Sequence, residues 1–254
     1  MDYSLQRLHN GILEFKITRQ DKRNAVNFGV MEGLKQALKQ AKADDVRALV
    51  ITGEGDQAFC SGGDLSVFHE LRTEEQAYSM LSQMGHILYE LATLPKPTVA
   101  LINGTAVGGG CEIATACDFR IAKAGVKMGF IQGTLAITTG WGGGTLLFER
   151  IAHGDALKLL TAAHVHKAEE LESIGFINRV VNEANHEAAE EFLKEELAIH
   201  STVLSAYKQM LIRKWQETNI AERMEKETRQ CAILWEADAH HEAVDRFLNK
   251  SSAK

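Results

Sequence analysis

Two apolar runs constrain this chain most: "ALVIT" at residues 48–52 and "TVALI" at residues 98–102. Neither alternates polar with apolar residues, so each reads as a strand buried on both faces, as in a parallel sheet covered by helices. Parallel neighbours cannot be joined by a tight turn, and the stretch between the runs has helical spacing from about residue 67 to residue 94. Pro95 and Pro97, the only prolines, set off the second strand. The pattern then repeats: a loop over residues 103–109, a helix over about 110–117 and a strand over 118–122. Strand and helix in alternation predict an α/β fold with right-handed crossovers.

The ends of the chain differ from this middle. Residues 3–18 alternate around His9-Asn10-Gly11, which predicts a hairpin. Val30, Met31, Leu34, Leu38 and Ala41 then fall at helical spacing. Beyond about Thr145 only "INRVV" reads as a strand, and the rest is helical. No Gly/Ser- or Pro-rich linker divides the chain, so we expect an α/β core over 1–195 continued by a helical C-terminal region over 196–254.

Composition argues against several classes of function. The 254 residues carry a formal net charge of −6, and no Lys/Arg run is interleaved with aromatics, so a nucleic-acid groove has no electrostatic footprint. No apolar run approaches a membrane span, and the first residues lack a basic segment followed by an apolar one. The expectation is a cytoplasmic protein. Cys60, Cys111, Cys117 and Cys231 form no C-x-x-C pair, and His240-His241 lack a partner at zinc-ligand spacing apart from Glu242. Buried reduced thiols and no metal site are expected.

Both buried strands are followed by glycine-rich loops, "SGGD" at 61–64 and "GGGCE" at 108–112. Consecutive glycines cost backbone entropy, and an acid directly behind them needs water or a partner. Gly104 to Gly109 has the spacing of a phosphate-binding P-loop, but Gly110-Cys111 stand where Lys and Ser/Thr would reach phosphate and Mg²⁺. Gly53 to Ala58 reads G-x-G-x-x-A, yet Gly62-Gly63 interrupt the helix that a dinucleotide site needs, and Glu54 and Asp56 would repel a pyrophosphate. Helix N-termini present unpaired N–H groups, and glycine lets a substrate approach them. If the Gly63 and Gly109 amides converge, they make a two-donor hole for a developing oxyanion. Taken separately, each loop reads equally well as a tight turn that needs positive φ; occurring together, they favour a functional role.

The blocks "QDKRNAVN", "ITGEGDQAFCSGGDL", "LPKPTVALINGTAVGGGCEIATACDFRIA" and "TGWGGG", in that order, resemble the crotonase, or enoyl-CoA hydratase/isomerase, superfamily. The similarity runs on through "HGDALKLLTAAHVHKAEELESIGFINRVV" and so spans nearly the whole chain. This resemblance implies a crotonase-like spiral of ββα units, assembled as a trimer or a dimer of trimers. Its helical C-terminal region would serve trimerisation and close over the CoA site. An acyl-CoA substrate is implied, with no cofactor beyond the coenzyme A that the substrate carries, and a thioester enolate stabilised by the amides of Gly63 and Gly109. Ala25, Asn27, Asp64 and Leu65 would border the adenine and pantetheine parts of CoA, largely through backbone. Lys22, Arg23 and Lys250 are candidates for its phosphates.

Glu112 sits where the family's hydratases carry one of two catalytic glutamates. Such an acid can exchange a proton with an acyl carbon or hold a water; otherwise it is simply a carboxylate placed against a helix macrodipole. Twenty residues on, where the second glutamate would stand, this chain has Gln132. A glutamine orients a water but cannot act as a general base near neutral pH. One carboxylate leaves hydration, isomerisation along the acyl chain and decarboxylation of a methylmalonyl- or ethylmalonyl-type CoA open. In the last, departing CO₂ generates the enolate, and "TACDFR" and the Trp141-Gly-Gly segment also resemble that decarboxylase branch. Hydratase-type lyase activity is the expected reaction. A non-catalytic CoA- or RNA-binding role is the reading from a different class, and the acidic charge and intact Gly63, Gly109 and Glu112 argue against it. His69 is expected at the surface.

Overall fold

The computed structural model describes residues 1–252, with side chains to residue 249. β1 (Tyr3–Arg7) and β2 (Ile12–Ile17) form the antiparallel hairpin, with Asn10 and Gly11 at positive φ in the turn. α1 (Phe28–Ala41) follows, capped by Asn27, whose Oδ1 accepts from the Val30 amide at 2.9 Å. It leads to β3 (Ala48–Gly53), which pairs in parallel with β2.

A unit then recurs. β3 passes into the short β4 (Ala58–Cys60), then α2 (Leu65–Phe68) and α3 (Glu74–Ala92). β5 (Thr98–Ile102) passes into β6 (Thr105–Val107) and α4 (Gly109–Ala116). β7 (Phe119–Lys123) passes into β8 (Lys127–Gly129), and α5 (Gly143–Arg150), α6 (His153–Ala162), β9 (His166–Lys167), α7 (Ala168–Ser173) and β10 (Arg179–Val181) follow. The long strands build a six-stranded sheet in the order β1-β2-β3-β5-β7-β10, and the short ones a four-stranded sheet in the order β4-β6-β8-β9. This is the spiral of ββα units.

Two expectations need correction. The helical stretch over 67–94 is broken, because Thr73 and Gln76 form a capping box that starts α3 afresh. The loop over 103–109 contains β6, and the second sheet as a whole escaped the sequence because strands of two or three residues carry no readable period. Gly53 to Ala58 opens into β4 rather than a helix, so the dinucleotide spacing is incidental.

The middle strands are buried on both faces. Phe15, Leu49, Ile51, Ala100 and Ile102 face the cluster that α1 and α3 fill. Ile12, Val50, Val99, Leu101 and Ile121 face Ala189, Leu193 and Leu197 on α8 (His186–Phe192), α9 (Lys194–Ala198) and the residue between them. Each buried Val, Leu, Ile or Phe among these contributes about 1.5–3 kcal/mol. α10 (Ser201–Glu217), α11 (Ile220–Glu236) and α12 (Asp238–Ser252) complete the chain. α11 lies along α3, and its Met224, Cys231, Ala232 and Trp235 share a core with Ala77, Met80, Leu81 and Met84. Among the described residues no helix is long and apolar enough to cross a membrane.

Candidate active site

The two glycine loops meet. After β4, Gly62 takes φ 96°, and the loop is held to the segment before α1 by bonds from Val26 N–H to Gly62 O and from Asp64 N–H to Val26 O, both 2.8 Å. After β6, Gly108 takes φ 56° and turns the chain into α4. A Cβ on Gly62 would lie 3.2 Å from the Gly109 nitrogen, and one on Gly110 would strike the Cys60 carbonyl, so glycine is what permits this approach. Neither the Gly63 nor the Gly109 amide has a hydrogen-bond partner among the described residues, and both residues line one cavity of about 130 Å³.

Glu112 lines the same cavity from the first turn of α4 and is 3% exposed. Its Oε2 accepts from the Trp141 and Gly143 amides at 2.9 and 3.0 Å, where α5 begins. Its Oε1 accepts from Gln132 Nε2 at 2.9 Å. Burial, and then the charge of Glu227, push the Glu112 carboxyl up to about 8, against the pull of these donors. Glu227 itself caps α5, accepting from Gly144 and Thr145 N–H at 3.1 and 2.6 Å. Glu112 is therefore compensated by dipoles alone, and it is the only carboxylate lining the cavity among the described residues. No Lys or Arg lines it there either.

Trp141 has two parts to play. Its backbone holds Glu112, while its ring lies against the glycine loops: a Cβ on Gly109 would run into it, and one on Gly63 would lie 3.7 Å from Cζ2. Leu65 lines the cavity. Lys22, Arg23, Ala25, Asn27 and Asp64 do not. Asn27 is occupied as the cap of α1, and Asp64 caps α2 and pairs with Arg19 at 2.7 Å, which holds its carboxyl below the usual range against the effect of burial. Lys22 and Arg23 are exposed, and the Arg23 carbonyl accepts from Ser61 N–H at 3.1 Å, so they sit at the rim. The Lys250 side chain lies outside the described residues. His69 is exposed, its Nδ1 2.8 Å from the Leu65 carbonyl.

Sequence reasoning missed the wall contributed by Cys231, Trp235, His240 and Phe247. Helical spacing placed these residues on C-terminal helices, and nothing local aimed them at the glycine loops. All four cysteines are free and buried, and burial pushes the Cys60 and Cys117 thiols up to about 12. Cys231, although it lines the cavity, is likewise shifted upward by burial, so it is a poor nucleophile.

The sequence profile of the enoyl-CoA hydratase/isomerase family matches residues 7–254, and the chain belongs to that family. Crotonyl-CoA hydratase from Syntrophomonas wolfei is 33% identical over 246 residues, 93% of this chain and 91% of that one. Ethylmalonyl-CoA decarboxylase from Rattus norvegicus is 29% identical over 245 residues, 94% of this chain and 81% of that one. The crystal structure of enoyl-CoA hydratase from Bacillus anthracis matches with a TM-score of 0.80 at 28% identity, covering 98% of this chain and 97% of that one. The fold is the crotonase fold, and the protein is an enzyme of the hydratase/isomerase type.

Proposed function

We propose that the protein adds water across the α,β double bond of a short-chain enoyl-CoA, with Glu112 moving the protons. What carries the proposal is that two unpartnered amides, Gly63 and Gly109, and one carboxylate line a single cavity. The thioester oxygen accepts from both amides, which are in place before charge develops; one such donor is worth about 2.7–4 kcal/mol in the transition state. A water held between Glu112 Oε1 and Gln132 Oε1, which is buried without a protein partner, satisfies both acceptors. Glu112 takes a proton from this water as its oxygen attacks the β-carbon, and the thioester becomes an enolate. Glu112 then returns a proton to the α-carbon, so one carboxyl serves as base and as acid. A carboxyl raised to about 8 suits that double duty near neutral pH.

The volume of the cavity supports a short acyl group. An apolar cavity of about 150 Å³ holds a benzene ring. By that scale this one takes an acyl group of roughly four to six carbons. Lys22 and Arg23 at the rim would meet the phosphates of coenzyme A, which arrives with the substrate. A second reading, decarboxylation of an ethylmalonyl-type CoA, is favoured by the glutamine at 132. The absence of Lys or Arg from the described lining weighs against it, because a free substrate carboxylate would have no cation there. Incubation with crotonyl-CoA should bleach the enoyl absorbance, and CO₂ release from ethylmalonyl-CoA without that bleaching would replace hydration by decarboxylation.

A further inference from the structure

One wall of the cavity comes from the junction of α11 and α12. Trp235 Nε1 donates to the Leu71 carbonyl at 2.7 Å, and His240 Nδ1 lies 2.7 Å from the Leu135 carbonyl, which makes Nδ1 the protonated nitrogen. The two rings pack with centroids 4.6 Å apart, and His240 is 2% exposed. Both rings also line a second cavity, of about 50 Å³, which Leu65 and Val244 border on its apolar side, His69, His241 and Asp245 on its polar side, and which reaches exposed Arg72. The Trp235 and His240 rings therefore stand between the reacting cavity and a route to the surface.

We propose that His240 is a specificity-determining residue: its ring is the partition that ends the acyl pocket and limits the enzyme to short chains. The proposal rests on the acyl-CoA reading of the site. With the ring gone, the two cavities join, and a longer chain can run past Leu65 and Val244 toward water. His240 has a second connection, through Leu135, to the turn that carries Gln132. The two roles separate by substitution. His240→Asn keeps an N–H for the Leu135 carbonyl but removes the ring; His240→Phe keeps a ring but removes the donor.

Binding of butyryl-CoA and decanoyl-CoA, both saturated and inert to hydration, reads the partition without requiring any turnover. The parent should prefer butyryl-CoA. His240→Asn should raise the decanoyl-to-butyryl affinity ratio by about tenfold or more, the scale on which pockets sense methylenes. His240→Phe should leave that ratio near the parent's. An unchanged ratio in His240→Asn, or an equal rise in both variants, overturns the partition. Should His240→Asn not fold, the parent alone still decides, because equal affinity for the two ligands overturns the proposal too. A parent that binds neither ligand overturns the acyl-CoA reading itself, and butyryl-CoA binding by the parent separates that failure from failure of the partition.

Discussion

Glu112 and Asp118 are acids at opposite ends of α4, and their surroundings could hardly differ more. Glu112 meets backbone amides and Gln132, with no cation among its partners. Asp118 Oδ2 accepts from Thr98 N–H and Oγ1 at 3.1 Å, while its Oδ1 binds Lys208 and lies 3.6 Å from Arg150. Burial lowers the Lys208 ammonium, and Asp118 opposes that shift. Arg120 donates to the carbonyls of Ala114, Cys117 and Phe176, and Arg150 to that of Thr115, so cations close the C-terminal end of the helix. An acid compensated by dipoles can exchange its proton; an acid locked among cations holds elements together instead. Lys208 brings α10 into that lock.

Substitutions should break this contrast in order of size. Glu112→Gln should cost about 10³-fold in kcat on crotonyl-CoA, since general acid–base groups contribute about 10²–10⁴-fold; near-parental turnover would remove Glu112 from the chemistry. The same variant should be more stable than the parent near neutral pH. In the unfolded chain this carboxyl titrates near 4.5, and in the fold near 8. Below 4.5 both states hold the proton, so it makes no difference. Between 4.5 and 8 only the fold keeps it, so the parent loses stability as pH rises, and above 8 the loss levels off. Urea titrations of parent and variant from pH 4 to 9 should therefore diverge by an amount on the order of a few kcal/mol.

Asp118→Asn should act the other way. Leaving Lys208 and Arg150 without their anion should destabilise the protein by about 3 kcal/mol, while kcat per folded molecule stays near the parent's. A large loss of kcat with unchanged stability would erase the distinction between the two acids. The smallest effect is expected at Gln132→Leu, about tenfold in kcat from one lost hydrogen-bonding partner of Glu112 and its water. If its pH–rate profile coincided with the parent's, Gln132 would have no hold on Glu112.

The hairpin, α1 and the strands at 48–52 and 98–102 were legible because hydrophobic pattern is a local property. Gly63, Gly109 and Glu112 stood out because two glycine loops follow two buried strands and because the blocks that carry them resemble the family's. The second sheet was not legible, since pairing between two- and three-residue strands depends on neighbours far along the chain. Nor was the wall of Trp235 and His240, which reaches carbonyls more than a hundred residues earlier.

By itself, then, the sequence determined the alternation of buried strands with helices and the positions where backbone could come close to a ligand. Only the tertiary structure decided which of the two acids, Glu112 or Asp118, could be reactive. What a carboxyl can do depends on the partners the fold brings to it, and these are Gln132, Trp141 and Gly143 for Glu112, and Thr98, Arg150 and Lys208 for Asp118.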